Sequence, residues 1–513
     1  MAIFDFSEPD PQQPDPAQPD PDQTGNQPAG GGSRFPLKTA LAFAVLVAAL
    51  ALGHYSVDRG KGLDPGIFAE AFRLRWPRPP APPIPKPAAK QRDGKLSQIS
   101  PVFTDDANSL DPFFAALWKL EQGRVEPGKD GVITILHYGD SPTTADLITG
   151  DVRAQLQSRF GDAGRGYTLI AKPWAWYGHR GVEITDHGWK ARTGVGLMRE
   201  GVYGLGGAVF EGQPGAWSKF RLTRSDQTSV VIEYLAKPGG GAFAVEADDR
   251  RMVERTTAAE TQAVGWVRVE LPAGTKIVSI RPTSGSVTLF GADFRRGTSG
   301  LLYDSLGLNG ATTTVLARVM QPVVWKQELD RASPSLIVIN YGSNESSFGA
   351  FVHKQYAAEL RLAITRVRVA APGVPILVMS PMDRGARSGL NEIETMSTIP
   401  EIVAIQRQAA AETHCAFFDT YAAMGGEGTM ARWYTASPRL VTADFLHPTP
   451  QGASIVAGLF IEQMELGYNR WKMRHGIGLP PANPANPIQA SASKAVTPSR
   501  PAQKQTGKKA RKQ

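Results

Sequence analysis

The sequence predicts an α/β fold in which a three-layer domain, built on a parallel sheet, contains an inserted all-β domain. Short apolar strands alternate with amphipathic helices in two stretches of the chain, which is typical of a parallel sheet covered by helices on both faces. Between these stretches, residues 195–298 hold only strand-like runs separated by Gly, Pro, Ser and Asp, which favours a β-sandwich. A charge-free apolar run near the N-terminus adds a predicted transmembrane helix.

Composition limits the other classes of protein. The chain has 513 residues, 42% hydrophobic and 20% charged, as in globular proteins, but its 40 prolines and 53 glycines indicate unstructured flanks. Seven of the eight net positive charges come from residues 476–513, a predicted disordered basic tail that contains no acid. The remainder is close to neutral, so we expect no nucleic-acid partner. The single cysteine, Cys415, excludes a disulfide within the chain and leaves the redox compartment open.

The N-terminal region contains a tail and a predicted membrane anchor. Residues 1–35 repeat Pro, Asp and Gln with few large apolar side chains, so we expect them to be disordered. The following segment, 36–55, is long enough for a transmembrane helix if Lys38 reaches the membrane interface. A cleaved signal peptide is the alternative, because Ala-Leu-Ala at 49–51 is similar to a cleavage site. The long leader before the apolar run favours an uncleaved anchor.

A proline-rich linker is predicted at 56–100. Its run of prolines favours an extended polyproline II spacer that would hold the folded domain away from the membrane. On the N-terminal side the apolar run is flanked by Arg34 and Lys38, and on the other side lie Arg59, Lys61, Arg73, Arg75 and Arg78. This count of basic residues places the bulk of the chain inside the cell. We nevertheless expect the periplasmic side of the inner membrane, because of the chemistry described below.

The globular region is predicted to divide into a first α/β part at 101–194, the inserted sandwich at 195–298 and a second α/β part at 299–475. The α/β strands are predicted at 132–138, 336–341, 376–379 and 416–418, and the helices at 144–160, 355–369, 400–413 and 451–466. The strands of the insert are predicted at 219–222, 229–235, 242–247, 266–271, 276–281 and 286–290.

A candidate nucleophile follows the first α/β strand. The segment 139–141 reads Gly-Asp-Ser and stands directly before a predicted helix. Ligands of open α/β sheets bind at the carboxyl ends of the strands, so a serine at this turn would point into the binding crevice. Taken alone, Ser141 is more often an ordinary helix N-cap.

A candidate oxyanion donor follows a later strand. The strand at 336–341 leads into Gly-Ser-Asn at 342–344, at the same edge of the sheet. The amide of Asn344 can donate a hydrogen bond to developing oxyanion charge. In isolation this motif is more often a turn.

A candidate base stands before the last helix. His447 follows Asp444 by three residues, so the carboxylate can hold one ring nitrogen while the other accepts a proton from a serine. A buried, satisfied histidine is the alternative for a lone Asp-x-x-His.

These three blocks, in this order, resemble the SGNH (GDSL) hydrolase family. The family's remaining block contains a glycine, and residues 307–312, Gly-Leu-Asn-Gly-Ala-Thr, are similar to it. The resemblance extends from Gly139 to His447 and implies a flavodoxin-like sheet domain. One departure is Pro142, where relatives often have histidine or another polar residue, which would stiffen the turn after the nucleophile.

The resemblance implies a role for each matching residue. Ser141 would attack an acyl carbonyl, His447 would transfer the proton, and Asp444 would orient the imidazole. The oxyanion hole would consist of the backbone N–H groups of Ser141 and Gly310 and the side-chain amide of Asn344. Gly310 is preferred over the neighbouring Gly307 because it directly precedes Ala-Thr.

Two further stretches, 140–167 and 424–428, resemble the branch of the family that includes bacterial peptidoglycan O-acetylesterases. Those enzymes also carry an inserted β-sandwich similar to a carbohydrate-binding module. The insert contains aromatic residues that could stack on sugar rings, although most are expected in the core: Trp217, Phe220, Tyr234 and Trp266.

Metal and nucleotide sites are not expected. The histidines are scattered without HExxH or paired-cysteine spacing. The glycine-rich stretches 204–207 and 238–241 are not followed by Lys-Ser or Lys-Thr. We therefore expect no metal and no cofactor.

The functional expectation is a membrane-anchored serine esterase that removes acetyl or another small acyl group from an envelope glycan, such as peptidoglycan. An O-acetyltransferase with the same triad is an alternative, because the choice depends on water exclusion and acceptor position. A non-catalytic glycan-binding protein with a vestigial triad is another. The sequence leaves the acyl group, the glycan, the oligomeric state and the role of the basic tail open.

Overall fold

The computed structural model describes residues 101–124, 131–196, 201–389 and 392–478. The predicted tail, transmembrane helix and linker at 1–100, and the predicted basic tail beyond 478, lie outside these ranges. Among the helices within them, none combines the length and the apolar composition needed to cross a bilayer.

The described residues form strands, helices and two short helical turns. The strands are β1 (Phe103–Thr104), β2 (Gly131–Gly139), β3 (Gly166–Leu169), β4 (Val182–His187), β5 (Lys190–Thr193), β6 (Ala208–Gly212), β7 (Trp217–Leu222), β8 (Ser229–Ala236), β9 (Ala242–Ala247), β10 (Arg250–Thr256), β11 (Ala263–Glu270), β12 (Ile277–Ser284), β13 (Val287–Arg295), β14 (Ser299–Gly307), β15 (Pro334–Asn340), β16 (Ile376–Met379), β17 (Gly385–Arg387), β18 (Ile393–Thr395) and β19 (Ala416–Phe418). The helices are α1 (Asp111–Glu121), α2 (Ser141–Thr144), α3 (Ile148–Phe160), α4 (Pro322–Ala332), α5 (Gly349–Lys354), α6 (Tyr356–Ala370), α7 (Thr398–Glu412), α8 (Thr420–Ala423), α9 (Thr429–Thr435) and α10 (Pro450–Arg474), with a π-helical turn at Val315–Val319 and a 3₁₀ turn at Glu345–Ser347.

A parallel sheet forms the centre of the α/β domain. Its strands lie in the order β14-β2-β15-β16-β19, and β1 is added antiparallel at the β19 edge. Counting only the parallel strands along the chain, this order is 2-1-3-4-5, the flavodoxin-like order. The order reverses at β2, so the crevice for a ligand is expected beyond the carboxyl end of that strand.

Helices cover both faces of the sheet, because alternate residues of each strand point to opposite sides. On one face, Ile133 and Ile135 of β2 belong to a buried cluster with side chains of α1, α3 and α10. On the other face, Leu136 and Tyr138 belong to a second cluster with side chains of α4, α6 and α7. Burial of these apolar side chains, each worth about 1.5–3 kcal/mol, is the main stabilising contribution.

The antiparallel strands between α3 and β14 form two sheets. One has the order β10-β9-β12-β7-β4, and the other has β11-β8-β13-β6-β5 with β3 added to β13. Aromatic rings of the two sheets pack together, with centroids 5.5 Å apart for Phe220 and Phe294 and 5.6 Å apart for Tyr234 and Phe243. These strands begin at Gly166, earlier than the predicted boundary at 195.

A buried arginine links the antiparallel strands to the α/β domain. Arg331, at the end of α4, forms ion pairs with Glu233 on β8 and with Asp293 on β13, the latter at 3.3 Å. All three side chains are buried. Two carboxylates without their cation would be costly at this depth, so Arg331 contributes to fixing the insert against the catalytic half of the chain.

The helix that follows the serine turn, α3, differs from its predicted bounds. It was expected over 144–160, but α3 begins at Ile148 because Asp146 adopts a left-handed conformation with φ of 52°. The buried carboxylate of Asp146 pairs with the buried guanidinium of Arg153 and accepts a hydrogen bond from Thr149, which stabilises this break. The serine turn is therefore a separate short helix, α2.

Candidate active site

Three adjacent strands end at the same level. Gly139 at the end of β2 lies in register with Gly307 of β14 on one side and with Asn340 of β15 on the other. The loops that follow these strands carry Ser141, Gly310 and Asn344. The carboxyl edge of the sheet therefore brings the candidate nucleophile and the candidate oxyanion donors to the point where the strand order reverses.

The nucleophile loop turns sharply from strand to helix. Gly139 is required here, because a Cβ atom would lie only 2.3 Å from Thr143 Oγ1. Asp140 is extended, and its carbonyl accepts the N–H groups of Thr143 and Thr144 at 3.0 and 3.1 Å. Ser141 is the first residue of α2 rather than its N-cap, and its hydroxyl bonds elsewhere.

The hydroxyl of Ser141 begins a chain of hydrogen bonds. Its Oγ lies 2.7 Å from Nε2 of His447, and the other ring nitrogen, Nδ1, lies 2.6 Å from Oδ2 of Asp444. The sequence distance of 306 residues between Ser141 and His447 is closed by the fold. With Nδ1–H donating to the carboxylate, Nε2 is free to accept the serine proton, which is the arrangement of a Ser-His-Asp triad.

The carboxylate of Asp444 is held by several donors. Its Oδ1 accepts the hydroxyl of Thr442 at 2.6 Å and the backbone N–H groups of Leu446 and His447 at 3.0 and 3.1 Å. Partial burial opposes ionisation, but these hydrogen bonds and the one from the His447 ring together hold the pKa of Asp444 well below its ordinary value. The carboxylate is thus charged and oriented at any pH at which an esterase operates.

The glycine block lies beside the nucleophile loop. Leu308 N–H donates to the carbonyl of Gly139 at 3.1 Å, which ties the block to the end of β2. Gly307 packs tightly, since a Cβ atom there would lie 2.2 Å from the backbone nitrogen of Thr144. Gly310 is exposed and has a left-handed φ of 73°. Gly307 therefore serves packing, and Gly310 remains the candidate oxyanion donor.

The asparagine block contacts the glycine block directly. One N–H of the Asn344 amide donates to the carbonyl of Ala311 at 2.8 Å, which fixes the orientation of the side chain. An amide nitrogen has two N–H groups, so the second is available for an oxyanion. The buried carboxylate of Glu345 accepts the N–H of Thr313 at 2.7 Å and that of Gly342 at 3.1 Å, joining the two loops.

Arg384 was missed by the sequence analysis. Its guanidinium donates to the carbonyl of Ser343 at 2.6 Å and to the hydroxyls of Ser346 and Ser347, both at 2.9 Å. These bonds hold the loop that carries Asn344. No local pattern marks Arg384, because its partners come from a loop 37–41 residues away in the sequence.

Asp140 is a buried carboxyl group next to the nucleophile. Its Oδ2 has no hydrogen-bond partner among the described residues. Burial raises the pKa of Asp140 to about 7, against the opposing effect of a hydrogen bond with the Ser343 side chain. This group therefore changes its charge near neutral pH.

His137 lies beneath the site and outside the triad. Its buried ring bonds with the hydroxyl of Tyr303 at 2.7 Å and with Oδ1 of Asn340 at 3.3 Å, and burial lowers its pKa to about 4. Within the ranges that the structure describes, no three His, Cys, Asp or Glu side chains are arranged to hold a metal ion.

One protein-family model matches part of the chain. The model of the GDSL-like lipase/acylhydrolase family matches residues 273–455, which contain the glycine, asparagine and Asp-His blocks. Ser141 lies outside the matched range, but the structure places its hydroxyl against His447. Residues 273–455 are thus similar to the GDSL-like lipase/acylhydrolase family, in agreement with the SGNH (GDSL) resemblance of the sequence blocks. The chain is a serine hydrolase of the esterase type.

One solved structure shares the fold of this chain, and others match more weakly. A peptidoglycan O-acetylesterase has 19% sequence identity and a TM-score of 0.61, over 72% of this chain and 100% of that chain. A family two carbohydrate esterase from Clostridium thermocellum matches with 12% identity and a TM-score of 0.25, over 56% of this chain and 100% of that chain. A salicylyl-acyltransferase from a tetracycline biosynthetic pathway matches with 14% identity and a TM-score of 0.26, over 56% and 98%. Curated proteins gave no match.

Proposed function

We propose that this SGNH hydrolase removes acetyl, or another small acyl group, from a glycan of the cell envelope, with peptidoglycan as the first candidate. The observation that carries the proposal is the continuous hydrogen-bond chain from Ser141 through His447 to Asp444 at the carboxyl edge of the sheet. Such a chain lets one imidazole remove the serine proton and return it to the leaving group.

The first half of the reaction forms an acyl-serine. Ser141 Oγ attacks the ester carbonyl while His447 Nε2 takes its proton, and the charge that develops on the carbonyl oxygen is bound by the N–H groups of Ser141 and Gly310 and by the Asn344 amide. The tetrahedral intermediate then breaks its bond to the sugar oxygen. His447 gives the proton to that oxygen, so the sugar leaves as an alcohol.

The second half repeats these steps with water. His447 takes a proton from a water molecule, the resulting hydroxide attacks the acyl carbonyl, and the bond to Ser141 breaks with return of the proton. The His447 and Asp444 side chains are 38% and 50% exposed, so water reaches this side of the acyl-enzyme. This openness favours hydrolysis over transfer to a sugar, which requires that water be kept out.

The glycan substrate is supported by two features. The fold is similar to that of a peptidoglycan O-acetylesterase over that whole chain. In addition, the two antiparallel sheets at 166–295 follow the serine block along the chain, where the family resemblance implies a carbohydrate-binding-module-like insert. Of the aromatic residues considered for sugar stacking there, Phe220 and Tyr234 are buried in the core, whereas Trp266 is 52% exposed.

The test compares soluble esters with glycan. Wild-type protein is expected to release acetate from 4-nitrophenyl acetate and from O-acetylated peptidoglycan, and Ser141→Ala is expected to abolish both activities. Ser225→Ala, which alters an exposed serine of the insert, is the matched control and should retain them. Acetylated product from an added oligosaccharide acceptor would instead indicate an acetyltransferase. Glycan binding without ester cleavage would indicate a non-catalytic binding protein.

The proposed location is the periplasmic face of the inner membrane, with residues 36–55 as a single-pass anchor and 56–100 as the spacer. Its support is the apolar run, the proline-rich segment and the nature of an envelope substrate. A reporter fused after residue 475 tests it. Active alkaline phosphatase is expected, and an active cytoplasmic reporter with inactive phosphatase would refute the placement.

A further inference from the structure

A tight turn presents an exposed indole beside the catalytic edge. The N–H of Tyr177 donates to the carbonyl of Trp174 at 3.0 Å, closing a turn with Trp176 at its tip. Tyr177 is buried, and its hydroxyl accepts the N–H of Leu169 at 2.9 Å, which anchors the turn to β3. The side chain of Trp176 is nevertheless 63% exposed. An anchored turn thus holds a large apolar ring system in water.

The same loop is attached to the nucleophile helix. The N–H of Gly178 donates to the carbonyl of Thr144, the last residue of α2, at 3.3 Å. Because α2 has four residues and begins at Ser141, its two ends are about 6 Å apart. Two residues of extended chain span at most about 7 Å, so Trp176 lies close to the catalytic edge.

The loop is also connected to the helix that follows the catalytic histidine. Arg180 forms an ion pair with Asp151 of α3, and the carboxylate of Asp151 also accepts a hydrogen bond from Ser454. Ser454 lies in the first turns of α10, which begins three residues after His447. The position of Trp176 is therefore tied to α2, which begins at Ser141, and to α10, which follows the loop that carries His447.

We propose that Trp176 is a sugar-stacking subsite for the glycan chain whose acyl group is transferred to Ser141. This inference rests on the proposed glycan substrate. The flat face of an indole carries partial negative charge, and the C–H groups on a pyranose face carry partial positive charge, so the two stack while the sugar hydroxyls remain in water. An exposed indole within a short oligosaccharide's length of the nucleophile binds a neighbouring sugar ring and thereby positions the ester.

The substrate comparison isolates this role. Trp176→Ala is expected to lower kcat/KM for O-acetylated peptidoglycan on the order of tenfold more than kcat/KM for ethyl acetate, which has no sugar and no ring. The loss should appear in KM rather than kcat, and Trp176→Phe should restore most of it. Val369→Ala, a change of another exposed apolar side chain, on α6, is the control and should change neither substrate.

Three results would overturn the proposal. Equal losses with both substrates would show that Trp176 supports the structure of the site. A loss with ethyl hexanoate that is absent with ethyl acetate would show that Trp176 binds the acyl chain. Equal effects of Trp176→Ala and Val369→Ala on the glycan would show that loss of any exposed apolar side chain weakens its binding.

A binding measurement separates this proposal from the proposed function. Full-length protein carrying Ser141→Ala is mixed with insoluble O-acetylated peptidoglycan, and the bound fraction is measured after sedimentation. Addition of Trp176→Ala should weaken binding on the order of tenfold, whether or not wild-type protein cleaves that glycan. Unchanged binding refutes the subsite. Binding that depends on Trp176 with no acetate release by wild-type protein refutes the esterase substrate alone.

Discussion

The buried carboxyl group of Asp140 gives the stability of this enzyme a specific pH dependence. In the unfolded chain it titrates near its ordinary value of 3.8, and in the folded protein near 7. Below pH 4 both states hold the proton. Between about pH 4 and 7 only the folded state holds it, so the free energy of unfolding falls as pH rises through this window and levels off above the folded pKa.

The size of the effect follows from the two pKa values. One pKa unit corresponds to about 1.4 kcal/mol, so the full window of about three units amounts to about 4 kcal/mol. The range from pH 5 to 7 accounts for about 2–3 kcal/mol of this. Asp140→Asn keeps the shape of the side chain and removes its titration. The free energy of unfolding of Asp140→Asn minus that of wild type should therefore increase by about 2–3 kcal/mol from pH 5 to pH 7.

Urea unfolding followed by tryptophan fluorescence measures this difference. Asp330→Asn, which changes an exposed carboxylate on α4, is the control and should show a constant difference from wild type. A difference for Asp140→Asn that is constant from pH 5 to pH 8 would refute the reasoning, because a buried group with a raised pKa cannot leave stability independent of pH in that window.

Three further substitutions test other parts of the site and fold. Asn344→Ala should lower kcat about 100- to 1000-fold by removing an oxyanion donor, with little change in KM or in the unfolding midpoint. Unchanged kcat would exclude Asn344 from the oxyanion hole. Asp444→Asn should lower kcat about 10⁴-fold, because the amide no longer favours the productive imidazole tautomer. A loss under tenfold in steady-state kinetics would contradict the role of Asp444 in orienting His447. Arg331→Met should reduce the free energy of unfolding, measured in urea, by about 3–5 kcal/mol, because Glu233 is left buried without its cation. A neutral effect would show that this ion pair does not stabilise the junction.

The sequence predicted the catalytic edge better than it predicted the elements around it. The strands predicted at 376–379 and 416–418 coincide with β16 and β19. They could be predicted because buried parallel strands are short, continuous apolar runs in the sequence. The strand β14 was not predicted, although it is central to the sheet. Its polar Asp304 and Ser305 interrupt the apolar pattern, and their buried partners, the N–H of Tyr167 and the carbonyl of Thr143, come from distant parts of the chain.

The last helix shows the same limit at its end. It was expected to stop near 466, where the apolar periodicity weakens, but α10 continues to Arg474. Tyr468 and Lys472 extend it because both donate to the carboxylate of Glu121 on α1, at 2.9 and 2.5 Å. Contacts between residues about 350 positions apart are not visible in a local pattern. For the same reason Arg384 has no local signal, whereas Ser141 and His447 lie in recognisable family blocks.

The reaction requires that Ser141 and His447 act as one unit. The most direct measurement is kcat for 4-nitrophenyl acetate in Ser141→Ala, His447→Ala and the double variant. The control is His353→Ala, because His353 also pairs with a carboxylate, Glu401 at 2.8 Å, but not with a serine. Each single variant should lose about 10⁶-fold in kcat, and the double variant should lose no more than either alone. Losses that multiply in the double variant, or substantial turnover without the 141 hydroxyl, would contradict a shared proton path.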